Sequence, residues 1–270
     1  MTTPPTPPPD SNADADPKRA LVIMAHPDDI EFTCGGTIAN LADDGWHVEF
    51  CLVTSGDKGT KDPTLGSWNL AALREAEQEA AAATLGVKHC TFLRWPDGHV
   101  EDNVALRSAL VRVIRQVRPQ LLITWDGYRG FNHRDHRTVG LVALDAAFPL
   151  ARSPHYFPDQ IDQGLEAHRT NTILLAGSRE PNYFVDVSRQ IERRIDALRC
   201  HASQVQAPTR EDLVKRIHDR ADQAARDGRI PWAEGFRRLF FGGRSQPDRR
   251  AILDKMAAEQ ADKTAVAATD

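Results

Sequence analysis

The sequence has no long hydrophobic run and no excess of basic residues. It contains no stretch of about 18 or more apolar residues, and its first twenty residues lack the basic start and apolar middle of a secretory signal. Its 34 lysines and arginines are outnumbered by 38 aspartates and glutamates, which gives a formal net charge of −4. We therefore expect a cytoplasmic protein that acts on a small molecule and binds neither nucleic acid nor an anionic membrane.

Cysteine is scarce, and two common functional motifs are missing. The four cysteines, at positions 34, 51, 90 and 200, form no C-x-x-C pair, which favours reduced thiols over a disulfide framework. Gly35 and Gly36 lack the full G-x-G-x-x-G spacing, which argues against a dinucleotide site. The G-x-S-x-G turn of serine hydrolases is absent from the sequence as well.

The composition divides the 270 residues into one domain and two tails. Residues 1–18 are rich in Pro, Asp, Ser and Thr with almost nothing apolar, so we expect a disordered tail there. Residues 19–245 have the length of one α/β domain with additions. Residues 246–270 are expected to form a C-terminal helix and a frayed tail.

Apolar strands alternate with helical patterns along this domain, which predicts an α/β fold. We expect a Rossmann-like three-layer sandwich with a mainly parallel sheet and right-handed crossovers. Ligands of such sheets bind where the carboxyl ends of the strands open into loops. The predicted strands are 19–25, 48–55, 91–95, 121–126, 172–175 and 185–187, and the predicted helices are 35–44, 70–85, 103–117, 136–148 and 188–201, the last capped by Ser188.

Two clusters of histidine and aspartate follow predicted strands. His26-Pro27-Asp28-Asp29 comes directly after the first strand, and residues 132–136, Asn-His-Arg-Asp-His, follow the strand 121–126. Alone, the first cluster is equally typical of an aspartate-rich turn with a helix cap. Two such clusters at one edge of the sheet favour a metal site, because zinc binds imidazole nitrogen and carboxylate oxygen and its catalytic sites keep three protein ligands.

A-H-P-D-D-I-E-x-x-C-G-G-T at 25–37, followed by H-x-D-H at 133–136, resembles the LmbE/PIG-L family of metal-dependent N-acetylglucosaminyl deacetylases, which includes the bacillithiol and mycothiol types. The resemblance covers roughly residues 20–240. In some relatives a glutamate directly follows the two aspartates, whereas here Ile30 stands there and the acid is Glu31. Further matching segments are 54–59, 74–77, 85–87, 97–98, 201–204 and 233–237.

The resemblance implies a role for each residue of the two clusters. It makes His26, Asp29 and His136 the ligands of Zn2+, although another divalent ion such as Fe2+ also suits two histidines and a carboxylate. It makes Asp28 the general base. The resemblance also implies that His133 is the acid or oxyanion partner, that Asp135 orients it, and that Arg74, Asp97 and His201 contact the substrate.

The function that follows is hydrolysis of an N-acetyl group on an amino-sugar-containing small molecule, with water activated by the metal. Two alternatives keep this chemistry: an amidase of thiol S-conjugates, and a deacetylase of a sugar on a secondary metabolite. A non-enzymatic metal- or sugar-binding module is a third reading. The long loops also allow a homo-oligomer.

Overall fold

A seven-stranded sheet forms the centre of the computed structural model, which describes residues 18–128, 133–205, 209–228, 230 and 232–241. The strand order is β3-β2-β1-β4-β5-β7-β6. The strands are β1 (Arg19–Met24), β2 (His47–Thr54), β3 (His89–Trp95), β4 (Leu121–Trp125), β5 (Thr172–Ala176), β6 (Tyr183–Asp186) and β7 (Ala233–Phe240).

The central strand β1 explains why the sheet is parallel here. Residues 20–24 of β1 are fully buried, which requires cover on both faces of the sheet. β1 pairs in parallel with β2 on one side and with β4 on the other, and β2–β3 and β4–β5 are parallel too. The strands β6 and β7 pair antiparallel. The predicted α/β fold with a mainly parallel sheet is confirmed.

Helices cover the two faces. The second, third and seventh helices pack together, and the fourth packs with the fifth. The helices are α1 (Asp29–Thr33), α2 (Gly35–Asp43), α3 (Ser67–Leu85), α4 (Val104–Val117), α5 (Arg134–Asp145), a π-helical turn (Ala146–Leu150), α6 (Pro158–Asp162), α7 (Ile191–Arg199) and α8 (Arg210–Gly228).

Helix ends follow their local chemistry. The α3 helix ends at Gly86, whose φ of 86° is left-handed and suits glycine. The side chain of Asn103 accepts a hydrogen bond from the backbone N–H of Leu106 and so caps α4. The predicted cap at Ser188 is wrong: α7 begins at Ile191 after Gln190, and the hydroxyl of Ser188 donates to the carboxylate of Asp186.

The order of the strands determines where along the sheet a ligand can bind. From β1 the chain builds outward through β2 and β3, then crosses back to add β4 and β5 on the other side of β1. The crevice at such a reversal, at the carboxyl ends of β1 and β4, is where open α/β sheets bind ligands. Both histidine clusters follow those two strand ends.

The predicted tails fall almost wholly outside the described residues. Residues 1–17 and 246–270 are among those not described, so both tails stay predictions. The chain divides into two compact units after Leu239. Only Phe240 and Phe241 of the second unit, 240–270, are among the described residues. Over the described ranges, the structure contains no helix that is both long and apolar enough to cross a membrane.

Candidate metal centre and active site

The first cluster forms a tight turn between β1 and α1. Asp28 has a φ of 96°, a value that costs a non-glycine residue about 1–3 kcal/mol and persists only where the surroundings hold it. Its carbonyl accepts a hydrogen bond from the backbone N–H of Phe32, so Asp28 precedes the first turn of α1. The strained turn points to a functional constraint on this backbone.

Three donor atoms from the two clusters converge. Nδ1 of His26 lies 3.1 Å from Nε2 of His136. That Nε2 lies 3.1 Å from Oδ1 of Asp29, and Nδ1 of His26 lies 3.7 Å from Oδ2 of Asp29. Ligands about 2.0–2.1 Å from a tetrahedral ion lie roughly 3.3 Å from one another, so this spacing suits one divalent cation.

The carboxylate of Asp29 is fixed by three donors. Its Oδ2 accepts from the backbone N–H groups of Ala25 and His26, at 3.1 and 2.9 Å, and from the indole N–H of Trp125 at 3.0 Å. Burial favours the neutral acid, but hydrogen bonds to His136 and His26 outweigh it and hold the pKa of Asp29 well below its usual range. With Oδ2 engaged, Oδ1 is presented toward His136.

Further carboxylates orient the His26 ring. Its Nε2 lies 3.0 Å from Oδ1 of Asp97 and 3.4 Å from Oδ2 of Asp135, which leaves Nδ1 for the cluster. Burial by itself lowers the pKa of His26, but hydrogen bonds to Asp135, Asp29 and Asp97 raise it to about 12. The buried carboxylates thus stabilise positive charge strongly at this point, as a cation site requires.

The donor set therefore fits a divalent cation. Among the described residues, His26 and His136 also form a possible cation-binding group with His133, and His26 forms another with Asp97 and Asp135. His133 lies close enough to serve as a fourth donor, since its ring centroid is 5.0 Å from that of His26 and 5.3 Å from that of His136. Nothing in the sequence pattern indicated that role for His133.

Asp28 lies beside the donor cluster and is held by Arg74. Nη2 of Arg74 donates to Oδ2 of Asp28 at 3.1 Å, and the same guanidinium donates to the carbonyls of Pro27 and Gly56. Burial, and then the charge of Asp29, raises the pKa of Asp28 to about 7 against the opposing charge of Arg74. A carboxylate with such a pKa is suited to accept and return a proton near neutral pH.

His133 stands at the start of α5. Its Nδ1 accepts from the backbone N–H of Asp135 at 3.2 Å, so Nε2 is the ring nitrogen free to donate to a ligand. Burial and the charge of His26 lower the pKa of His133. The carboxylate of Asp135, predicted to orient His133, instead faces His26 and accepts from the backbone N–H groups of Gly98 and Val100, at 2.6 and 3.3 Å. The contact of Asp135 with His133 is made by its backbone N–H.

These groups share a cleft of ≈ 520 Å³, a volume that suits a small organic ligand. The donor cluster, Asp28 and His133 line it, and Phe32 and Trp125 form apolar parts of its wall. Trp125 also stacks on His136, with centroids 4.0 Å apart and planes 8° from parallel. Sequence patterns did not indicate Trp125, because an aromatic residue at the end of a buried strand is more typical of the core.

The three predicted substrate contacts have different surroundings. Arg74 lines the cleft, but it is only 4 % exposed, and its guanidinium contacts Asp28 and the two carbonyls described above. Asp97 lines the cleft and faces His26, while its Oδ2 accepts from the backbone N–H of Lys58. His201 is fully buried, faces Glu31 and is not among the residues that line the cleft, and its contact with substrate stays a prediction.

Comparison with known proteins identifies the family. The profile of the GlcNAc-PI de-N-acetylases (PIG-L) matches residues 21–147. A diacetylchitobiose deacetylase from Thermococcus kodakarensis is 35% identical over 192 residues, which are 70% of this chain and 71% of that protein. The chain belongs to the PIG-L family. The predicted family is thus confirmed, and with it the class of enzyme: this PIG-L protein is an N-deacetylase, a hydrolase of amide bonds.

Two further relatives agree. A 1D-myo-inositol 2-acetamido-2-deoxy-alpha-D-glucopyranoside deacetylase from Actinosynnema mirum is 28% identical over 230 residues, covering 70% of this PIG-L chain and 81% of that protein. The solved structure of the N,N'-diacetylchitobiose deacetylase from Pyrococcus horikoshii superposes with a TM-score of 0.78 at 30% identity, over 83% of this chain and 84% of that one. The PIG-L fold therefore extends over most of the described residues.

Proposed function

We propose that this PIG-L family protein is a zinc-dependent deacetylase that hydrolyses the acetamide of an amino sugar within a small molecule. The observation that supports this best is the convergence of three donor atoms from His26, Asp29 and His136 beside the carboxylate of Asp28, in one cleft. A base next to a cation site is the arrangement that metal-assisted hydrolysis needs.

His26, Asp29 and His136 would hold the zinc ion. When bound, it supplies Lewis-acid chemistry: it polarises the acyl carbonyl and lowers the pKa of a water molecule. The role of Trp125 is to keep the donors in place, because it donates to Asp29 and stacks on His136.

Asp28 carries the proton through the reaction. It accepts a proton as water oxygen bonds to the acyl carbon, and the carbon–nitrogen bond breaks when the nitrogen is protonated. The products are a carboxylate and an amine. Arg74 keeps the carboxylate of Asp28 aimed at the cleft. His133 donates from Nε2 to the oxygen that gains negative charge, since its Nδ1 is engaged by the backbone of Asp135.

The substrate we propose is an N-acetylated amino sugar or its conjugate. The named relatives are deacetylases of diacetylchitobiose and of an inositol-linked acetamido sugar. The cleft has room for a sugar ring, and its rim carries the cationic side chains of Lys58 and Arg216, which can donate to hydroxyl groups.

Amine release tests this proposal directly. The purified protein should release amine from at least one of N-acetylglucosamine, N,N'-diacetylchitobiose and an inositol-linked N-acetylglucosamine. Chelation should abolish the activity and added Zn2+ should restore it. Tight zinc binding without amine release from any of the three would support a binding module instead, and activity that survives complete metal removal would rule out the metal-dependent mechanism.

Asp97→Asn separates a metal role from a sugar role. We expect zinc affinity to fall by roughly 10- to 100-fold, because the amide removes the negative charge that faces Nε2 of His26. KM at saturating zinc should stay near the wild-type value. Zinc competition with a chelating dye and steady-state kinetics measure the two quantities, with Asp57→Asn as the matched control. A raised KM with unchanged zinc affinity would support the predicted contact with sugar hydroxyls.

A further inference from the structure

A buried chain of polar side chains lies behind Asp28, outside the cleft. The backbone N–H of Asp28 donates to Oε1 of Gln78 at 3.0 Å. Nε2 of Gln78 donates to Oε1 of Glu31 at 2.8 Å, and Nε2 of His201 lies 3.1 Å from Oε2 of Glu31. Gln78, Glu31 and His201 are each fully buried. Burying three polar side chains costs free energy unless they form hydrogen bonds with one another. Such a buried series therefore points to a functional role.

The chain fixes which way the Gln78 amide points. Nε2 of Gln78 donates to Oε1 of Glu31, so the NH2 group of Gln78 faces that carboxyl group. The carbonyl oxygen of Gln78 is then left to accept from the backbone of Asp28. Nε2 of His201 contacts the other oxygen of Glu31 and so limits how that carboxyl group can turn. The orientation of Gln78 is therefore set from behind by Glu31 and His201.

Asp28 needs such a support because its backbone is in a conformation that side chains rarely adopt. Arg74 holds the carboxylate of Asp28, whereas Gln78 holds its backbone N–H. At a φ of 96° a small rotation of this backbone would swing the carboxylate away from the donor cluster. Proton transfer is sensitive to displacements of that size.

We infer that Gln78, oriented by Glu31 and His201, is a positioning residue that holds the base Asp28 in its productive conformation. This inference rests on the proposed function, in which Asp28 carries the proton. It also gives His201, predicted to touch the substrate, a place separated from the base by Glu31 and Gln78.

Gln78→Met tests the inference, because methionine keeps the length of the side chain but removes both hydrogen bonds. We expect kcat to fall by roughly 10- to 100-fold, the effect typical of lost outer contacts. KM for N,N'-diacetylchitobiose and the bound zinc per chain should stay near wild type, since neither the cleft wall nor the donor cluster changes. A purely structural role would lower the melting temperature and leave kcat of the folded fraction unchanged.

Glu77→Gln is the matched control on the same helix. Glu77 is also buried, and its carboxylate accepts from the backbone N–H and the hydroxyl of Ser203. Replacing this carboxylate by an amide weakens a buried contact that does not reach Asp28. We expect this variant to lose thermal stability and keep its kcat. Equal losses of kcat in Gln78→Met and Glu77→Gln would overturn the inference, as would a folded Gln78→Met with wild-type kcat.

Glu31→Gln tests the positioning role of Gln78 if Gln78→Met does not fold. It keeps the size of the side chain, but its amide no longer dictates the orientation of Gln78, so we expect a smaller fall in kcat at unchanged zinc content. Wild-type kcat in this variant would overturn the inference. Asp28→Asn is measured alongside: if that variant is fully active, the proposed function fails, whereas an inactive Asp28→Asn with an unaffected Glu31→Gln refutes the positioning role alone.

Discussion

Replacing Asp28 by asparagine should lower kcat by roughly 10²- to 10⁴-fold, the contribution typical of a general base. The amide has the size of the carboxylate and can still accept from Arg74, but it cannot take a proton from water. The three proposed zinc ligands are unchanged, so the zinc bound per chain should stay the same. The loss should appear in kcat and kcat/KM alike, because the missing group acts in the transition state.

Steady-state amine release together with metal analysis measures both halves of this expectation. Asp57→Asn provides the matched control, since Asp57 lies on the neighbouring loop and pairs with Lys58 instead of the donor cluster. Its kcat should equal that of the wild type. An Asp28→Asn variant with full turnover would show that another group carries the proton.

His136→Ala should abolish both zinc binding and deacetylation. It removes one of three converging donors and also the ring that stacks on Trp125. The loss of zinc affinity should exceed the roughly 10- to 100-fold that a lost outer contact costs, because a direct ligand disappears. Activity at limiting zinc should become undetectable.

His133→Ala is the informative partner of that variant. His133 lies near both other imidazoles, so it could act as a fourth ligand or as a hydrogen-bond donor to the reacting oxygen. As a donor, its loss should lower kcat by roughly 10²- to 10³-fold and leave zinc affinity unchanged. Competition with a chelating dye separates the cases: loss of zinc in His133→Ala to the same degree as in His136→Ala would make His133 a ligand.

The fold and the convergence of the two histidine clusters could be predicted from the sequence because both depend on local patterns. A buried apolar run such as β1 has few structural alternatives, and the ends of parallel strands share one edge of the sheet. His26 and His136 are far apart in the chain, but His26 follows β1 and His136 follows β4. These two strands pair with each other in the sheet. The convergence of the donor atoms therefore followed from the topology.

The partners of the remaining polar side chains did not follow from the sequence. Whether Asp135 faces His133 or His26 depends on how the loop before α4 packs, and no spacing rule encodes that contact. The same holds for His201, whose partner Glu31 is 170 positions away. The sequence did not predict the helix α8 or the strand β7. The alternating burial along β7 depends on its antiparallel pairing with β6, which lies far from it in the chain.

The left-handed backbone at Asp28 bears on how this enzyme can evolve. Glycine is the residue that such a conformation accommodates most readily, so selection for thermal robustness alone would favour losing the carboxylate at this site. Heat-tolerant descendants that retain turnover must gain their robustness elsewhere in the chain. If the proposed function holds, the acid at position 28 is kept for its chemistry, against the preference of its own peptide backbone.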